Sequence, residues 1–252
     1  LAGVAAGLKL NQMIDNGEFD AEDALVGYIG AYPYAEVISG YTSFYLGIRY
    51  VCPSATMKVT YTNSWYDESL EKEAAVALIN AGCKLISQHA DSMGAPSACE
   101  NAGIPNVSYN GSTISACPNT FIISSRINWV TYFLHIIDCV KNHTPIETDW
   151  VGTISNESVM LTEINERVAA PDTAKVLADT MNFILSGELR VFDTSTWTVN
   201  GEQLEEYLAD VDTDEAYTPD TNVIADGYFH ESEYRSAPYF DLCIDGISFL
   251  NG

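Results

Sequence analysis

The sequence predicts an α/β fold built on a parallel sheet with helices on both faces. Two observations carry that expectation. Apolar runs of strand length alternate with helical periodicities from Ala24 to Val140, and most of those runs are apolar throughout, as strands buried on both sides are.

The elements follow in order. Leu1 to Met13 has a helical apolar stripe of Leu1, Val4, Ala5 and Leu8. Ala24 to Ile29 is a short apolar run closed by Gly30, and Met57 to Thr62 alternates at a strand's period of two. Between them, Val37, Ile38, Tyr41, Tyr45 and Ile48 recur at helical spacing behind Pro33, which suits a helix start. This is a βαβ unit, and the pattern repeats. Asp67 suits an N-cap, Leu70, Ala74, Ala77, Leu78 and Ala81 form a stripe, and Gly82 stands where a terminating glycine is expected. Lys84 to Ser87, Pro105 to Tyr109 and Thr120 to Ser124 read as further strands, with a helix over Met93 to Ala102 closed by Gly103. Trp129 to Val140 is a helix apolar on almost every face, and Pro171 to Ser186 is one more amphipathic helix. Arg190 to Phe192 and Trp197 to Val199 are expected as short strands. From Asp193 to Glu233 there are twelve acidic residues and no Lys or Arg, a run expected to be a solvated surface.

Composition excludes several classes. The net charge of −24 opposes the electrostatic term that dominates nucleic-acid affinity, so no nucleic-acid partner is expected. No stretch reaches the ~18 apolar residues of a spanning helix, and Leu1 to Leu10 lacks the make-up of an export signal, which would lie upstream. The six cysteines form no CxxC pair and no histidine is read at ligand spacing, which argues against zinc or thioredoxin-type sites. Cys83 and Cys139 read as core. A Cys99–Cys117 disulfide is an alternative to six free thiols, the latter being preferred.

No GxSxG elbow and no phosphate-binding loop occurs, and His230 to Tyr234 lacks the second histidine of an HExxH site. Asp210, Asp212 and Asp214 begin like a calcium loop, but Glu215 and Thr221 occupy positions where an EF-hand needs glycine and glutamate. The chain is therefore read as no enzyme, with no cofactor and no metal. His89 with Asp91 is the remaining acid–base candidate and reads more simply as polar lining.

In parallel sheets ligands bind beyond the carboxyl ends of the strands. Those positions hold Tyr32 and Tyr34, then Trp65, then Gln88, Asp91 and Ser92, then Asn110, and finally Arg126. Flat aromatic faces, amides, a carboxylate and a guanidinium can stack on a planar ring and hydrogen-bond its hydroxyls. Trp65 is read as a stacking residue. Arg126 either binds a ligand or pairs with a local carboxylate, and Asn110, before a glycine, also suits a turn.

An ordered series of blocks resembles the basic membrane protein (BMP) family, lipoproteins that serve as substrate-binding components of ABC transporters, typically for purine nucleosides. The blocks are Leu1 to Gly7, Val26 to Gly30, Tyr61 to Asp67, Ala74 to Ser87, Ser92 to Gly94, Val107 to Asn110, Cys117-Pro118, Ile122 to Arg126 and Ser186 to Phe192. The resemblance implies a type I periplasmic-binding-protein fold, a Rossmann-like lobe paired through a hinge with a first lobe that is incomplete here. It implies that Trp65 stacks on the base, that Asn110 stands for the family's ribose-binding aspartate, and that Arg126 stands for its lysine. Residues 1–23 are then a remnant of the first lobe and hinge, 24–142 the second lobe, and 143–252 a return crossover, C-terminal helix and acidic tail. The opening helix, lacking its first-lobe partner, is expected to be exposed and prone to self-association. The implied function is an extracytoplasmic solute-binding component of an ABC importer, cell-surface or periplasmic, with an ABC permease as partner and the membrane reached only through a lipid anchor on a missing N-terminus. The alternatives are a ligand-sensing domain of a receptor and, third, a nucleoside-processing enzyme.

Overall fold

The computed structural model describes residues 1–250 except 213, 214 and 217, so Asp214 of the calcium-like run lies outside the described residues. Helix α1 (Ala2–Asp15) leads into strand β1 (Leu25–Gly30), α2 (Ala35–Val51), β2 (Thr56–Tyr61), α3 (Glu68–Asn80) and β3 (Leu85–Gln88). Then come α4 (Gly94–Ala102), β4 (Asn106–Tyr109), β5 (Phe121–Ile127), α5 (Trp129–Asn142), β6 (Val159–Leu161) and α6 (Thr173–Ser186). The tail carries β7 (Leu208–Ala209), β8 (Thr221–Asn222), β9 (Ile224–Ala225), β10 (Tyr228–Phe229) and β11 (Ile247–Phe249).

The main sheet has the order β11-β2-β1-β3-β4-β5-β6, parallel except for β6 against β5. Successive side chains of a strand face opposite sides, and β1 shows the result. Val26 and Tyr28 enter the core shared with α1 and α2, whereas Ile29 enters the second core, formed with Ala75 and Leu78 of α3, Ile86 of β3, and Ala95, Ala98 and Cys99 of α4. The sheet is thus covered on both faces, the Rossmann-like arrangement of a type I periplasmic-binding lobe.

The five strands expected between Ala24 and Ser124 each lie within a few residues of their place, and the predicted stripe of α2 is buried throughout. Other expectations are corrected. The opening helix is not exposed: Val4, Ala5, Ala6, Leu10 and Met13 are buried, because Gly3, Gly7 and Gly47 let α1 and α2 approach closely. A Cβ on Gly3 would lie 2.0 Å from the Phe44 carbonyl oxygen. The α3 stripe is rotated, burying Glu71, Ala75 and Leu78 while Leu70 is exposed. Helix α5, apolar almost all round, buries only Cys139 and exposes Trp129, Val130, Phe133, Leu134, Ile137 and Val140.

The two short strands expected after α6 do not form. Asp193 accepts a hydrogen bond from the Ser195 backbone N–H at 2.9 Å, which turns the chain, and Asp193 and Val199 make only isolated bridges. Trp197 instead packs in an aromatic cluster with Phe192, Phe229 and Phe240. The acidic tail therefore has a buried side: Phe240 and Val223 are fully buried, and β11 pairs with β2 to extend the sheet by one edge strand. The six cysteines are free thiols; Cys99 and Cys117 are both buried, and burial, with Cys117 as the lesser cause, pushes the Cys99 thiol up to about 12.

Candidate functional site

The carboxyl ends of β1, β2, β3 and β4 lie side by side, and the loops that follow form one rim. Tyr32 and Tyr34 stack with centroids 5.2 Å apart, and Trp65 lies 5.3 Å from Tyr32 and 6.1 Å from Tyr34. The trio is only partly covered, with Trp65 45% and Tyr34 55% exposed. A tryptophan serving merely as a core lid would be buried; this one offers a face to solvent. Asn63 holds the preceding turn in the left-handed region at φ 55°, a conformation asparagine tolerates.

The loop that carries Trp65 is fixed from below. Asp67 caps α3, its Oδ1 accepting from the Ser69 and Leu70 backbone N–H groups at 3.0 and 2.9 Å. Glu71, fully buried, accepts from the Asp67 N–H at 3.0 Å through one oxygen and from the Ser92 hydroxyl through the other. The Ser92 oxygen also accepts from the Gly94 N–H at 3.1 Å. A single carboxylate therefore ties the loop after β2 to the loop after β3. Glu71 is hidden in the sequence beside the apolar residues of the α3 stripe, and the short run from the cap Asp67 to Glu71 is the signal that marks it.

Asp91 and Asn110 are exposed beside each other, the Asn110 amide reaching the Asp91 carboxylate at 3.4 Å. Asn110 is also the turn residue its position allowed, at φ 61°. Gln88 is buried and its Oε1 accepts from the Asn106 amide at 3.0 Å. His89 is buried too. Its ring stacks on Tyr109 at 4.5 Å, Nδ1 lies 3.4 Å from the Tyr28 hydroxyl and Nε2 lies 3.7 Å from Glu36. Burial holds its pKa below the ordinary histidine value, against the opposing pull of Glu36. Both ring nitrogens face Tyr28 and Glu36, not Asp91, so the acid–base pair considered from sequence is not assembled.

Arg126 lies inside β5, not after it, because β6 supplies an antiparallel partner with Arg126 opposite Met160. It is exposed and makes no ion pair among the described residues. Four strand spacings, about 19 Å, separate β5 from β2. Trp65 and Arg126 thus mark opposite ends of the rim, with Asp91 and Asn110 between them. Adjoining it is a cavity of about 300 Å³ lined by Tyr28, Gln88, His89, Ser108 and Tyr109 on the sheet side and by Met181 and Ile184 of α6 opposite.

Residues 1–192 match a family of ABC transporter substrate-binding proteins described as PnrA-like. A purine-binding protein of Brucella abortus is 32% identical over 209 residues, which are 76% of this chain and 59% of that protein, so the chain spans less than two thirds of this relative. A metabotropic glutamate receptor-like protein of Dictyostelium discoideum is 27% identical over 57% of this chain and 19% of its own. An ABC transporter system solute-binding protein of Aeropyrum pernix K1 shares the fold, with a TM-score of 0.62 at 18% identity over 75% of this chain and 62% of that one. With residues 1–192, three quarters of its length, matched by the family, the chain belongs to the Bmp family of PnrA-like ABC-transporter substrate-binding proteins.

Proposed function

We propose that the chain supplies the ligand-binding second lobe of an extracytoplasmic solute-binding component of an ABC importer, and that it takes a purine nucleoside or a related ring-bearing small molecule. The observation that carries this reading is the half-exposed Trp65, grouped with Tyr32 and Tyr34 at the carboxyl edge of the sheet. Stacking supplies affinity for a planar ring, and the neighbouring Asp91 and Asn110 supply hydrogen bonds to hydroxyls. Arg126, without a carboxylate partner among the described residues, reaches the ligand from the far end of the rim. Gln88 and Ser92 serve this site from beneath, as the frame that holds its loops. The purine-binding relative from Brucella supports the ring chemistry.

In this reading residues 24–142 are the second lobe, with the opening helix of residues 1–23 packed into its core, and 143–252 are the crossover with its C-terminal helix and tail. A first lobe closing over the rim, an ABC permease and a lipid anchor upstream complete the importer. A second reading, a receptor's sensing domain, draws on the Dictyostelium relative, and a signalling module fused to the same polypeptide would favour it. Thermal-shift screening of the full-length protein with purine nucleosides, nucleobases, flavins and hexoses tests the ligand class. Stabilisation by a purine compound is expected; failure of every ring compound to raise the melting temperature would overturn the proposal.

A further inference from the structure

Away from the rim, a second group of side chains converges on α5. His135 and Cys139 stand four residues apart, one helical turn, and so share a face of the helix. The chain leaving α5 folds back to bring Glu147 to the same spot. His135 Nε2 lies 2.6 Å from a Glu147 carboxylate oxygen and 3.7 Å from the Cys139 sulfur, and the donor atoms of all three residues lie within 4.8 Å of one another.

These distances suit one small cation. Zinc bonds thiolate sulfur at about 2.3 Å, imidazole nitrogen at about 2.0–2.1 Å and carboxylate oxygen at about 2.0–2.2 Å. Tetrahedral angles then set the sulfur and nitrogen about 3.6 Å apart and the nitrogen and oxygen about 3.4 Å apart. The first separation is already present. The second requires the histidine–carboxylate hydrogen bond to open by about 0.8 Å as the metal takes the place of its proton, a small swing for the exposed Glu147 side chain. The surroundings hold the donors in place. Trp150 stacks on the His135 ring at 6.0 Å, and Tyr132 packs on Trp150 at 5.1 Å. Asp149 anchors the same loop to the tail by accepting from the Ser236 backbone N–H at 3.0 Å and from its hydroxyl. Cys139 is the buried member and brings the soft donor that favours zinc over calcium or magnesium. The pair is not apparent as a ligand spacing in the sequence; the turn of α5 sets His135 and Cys139 side by side.

We propose that His135 Nε2, the Cys139 thiolate and the Glu147 carboxylate bind one zinc-class divalent cation, with water as fourth ligand, pinning the loop after α5 to the helix. Binding releases the Cys139 thiol proton to solvent and uses the neutral His135 imidazole with its proton on Nδ1, which leaves the Nε2 lone pair for the metal.

The test is titration of metal-free protein with Zn²⁺ against a chromophoric chelator, together with absorption spectra on adding Co²⁺. One equivalent of Zn²⁺ should bind, and Co²⁺ should give a thiolate-to-cobalt charge-transfer band with the intense visible bands of a four-coordinate ion. Cys139→Ser should abolish the charge-transfer band. His135→Gln and Glu147→Gln should each weaken Co²⁺ binding on the order of tenfold or more. Absence of the band, its survival in Cys139→Ser, or unchanged affinity in His135→Gln would overturn the proposal. Should Cys139→Ser fail to fold, His135→Gln decides, since that side chain is partly exposed and its loss leaves no buried gap.

Discussion

Trp65 and His89 stand two strands apart on the same rim and make opposite predictions. Trp65 has an open face and no side-chain hydrogen bond among the described residues, so Trp65→Ala should cost ligand affinity and spare stability. Aromatic–base stacking is worth about 1–3 kcal/mol, so a purine nucleoside should bind roughly 5- to 150-fold more weakly, as measured by calorimetry. His89 is enclosed by Tyr28, Glu36 and Tyr109 and acts on stability instead. Its folded pKa lies below its unfolded value of about 6.5, so in the interval between them the unfolded chain binds a proton that the folded one does not. The contribution is therefore complete above pH ~6.5 and erodes as pH falls below it. Melting temperatures between pH 7 and pH 5 should fall more steeply for the wild type than for His89→Gln; parallel curves would mean that His89 carries no linked proton.

Among the elements, the crossing of α1 over α2 depends on the missing side chain of Gly3. A Cβ there would sit 2.0 Å from the Phe44 carbonyl oxygen, a backbone atom that cannot rotate away. Gly3→Ala should destabilise the protein by about 1–3 kcal/mol, read as a lower denaturation midpoint with an unchanged slope. An unchanged midpoint would show that the helices can separate freely. The same crossing shows where sequence was legible. Strands β1 to β5 are legible because each lies between turn residues and most are apolar on both faces, and Asp67 caps α3 because its carboxylate fits the orphan N–H groups. The burial of α1 was hidden, since its partner is a helix whose own Gly47 reads as a mere weak point until the two are seen together. At the site, Trp65 with Tyr32 and Tyr34 followed from the strand-end rule. The buried duties of Gln88, Ser92 and Glu71 did not, because a polar residue beside a strand end looks the same whether it faces a ligand or the interior. Helix α5 failed in the other direction: its apolar composition implied burial, and no element of the described chain covers it.

At the scale of the molecule, the acidic tail is a structural member, with Phe229, Tyr239 and Phe240 buried in the core. Phe240 touches Phe192, Trp197 and Phe229 and is fully buried, while β11 closes the edge beside β2. Phe240→Ala should cost about 3–5 kcal/mol in chemical denaturation, the price of a large aromatic cavity; a loss under 1 kcal/mol would mean the tail merely rests on the surface. The tail thus buttresses the β2 side of the sheet, the side on which Trp65 stands. The measurement that tests this account most directly is amide chemical-shift mapping by NMR during titration with a purine nucleoside. The shifts should be saturable and concentrate in residues 31–34, 63–67, 89–92 and 110–112, with a smaller set around Arg126. Saturable shifts centred on α5 or the tail, with the amides around Trp65 unmoved, would contradict it.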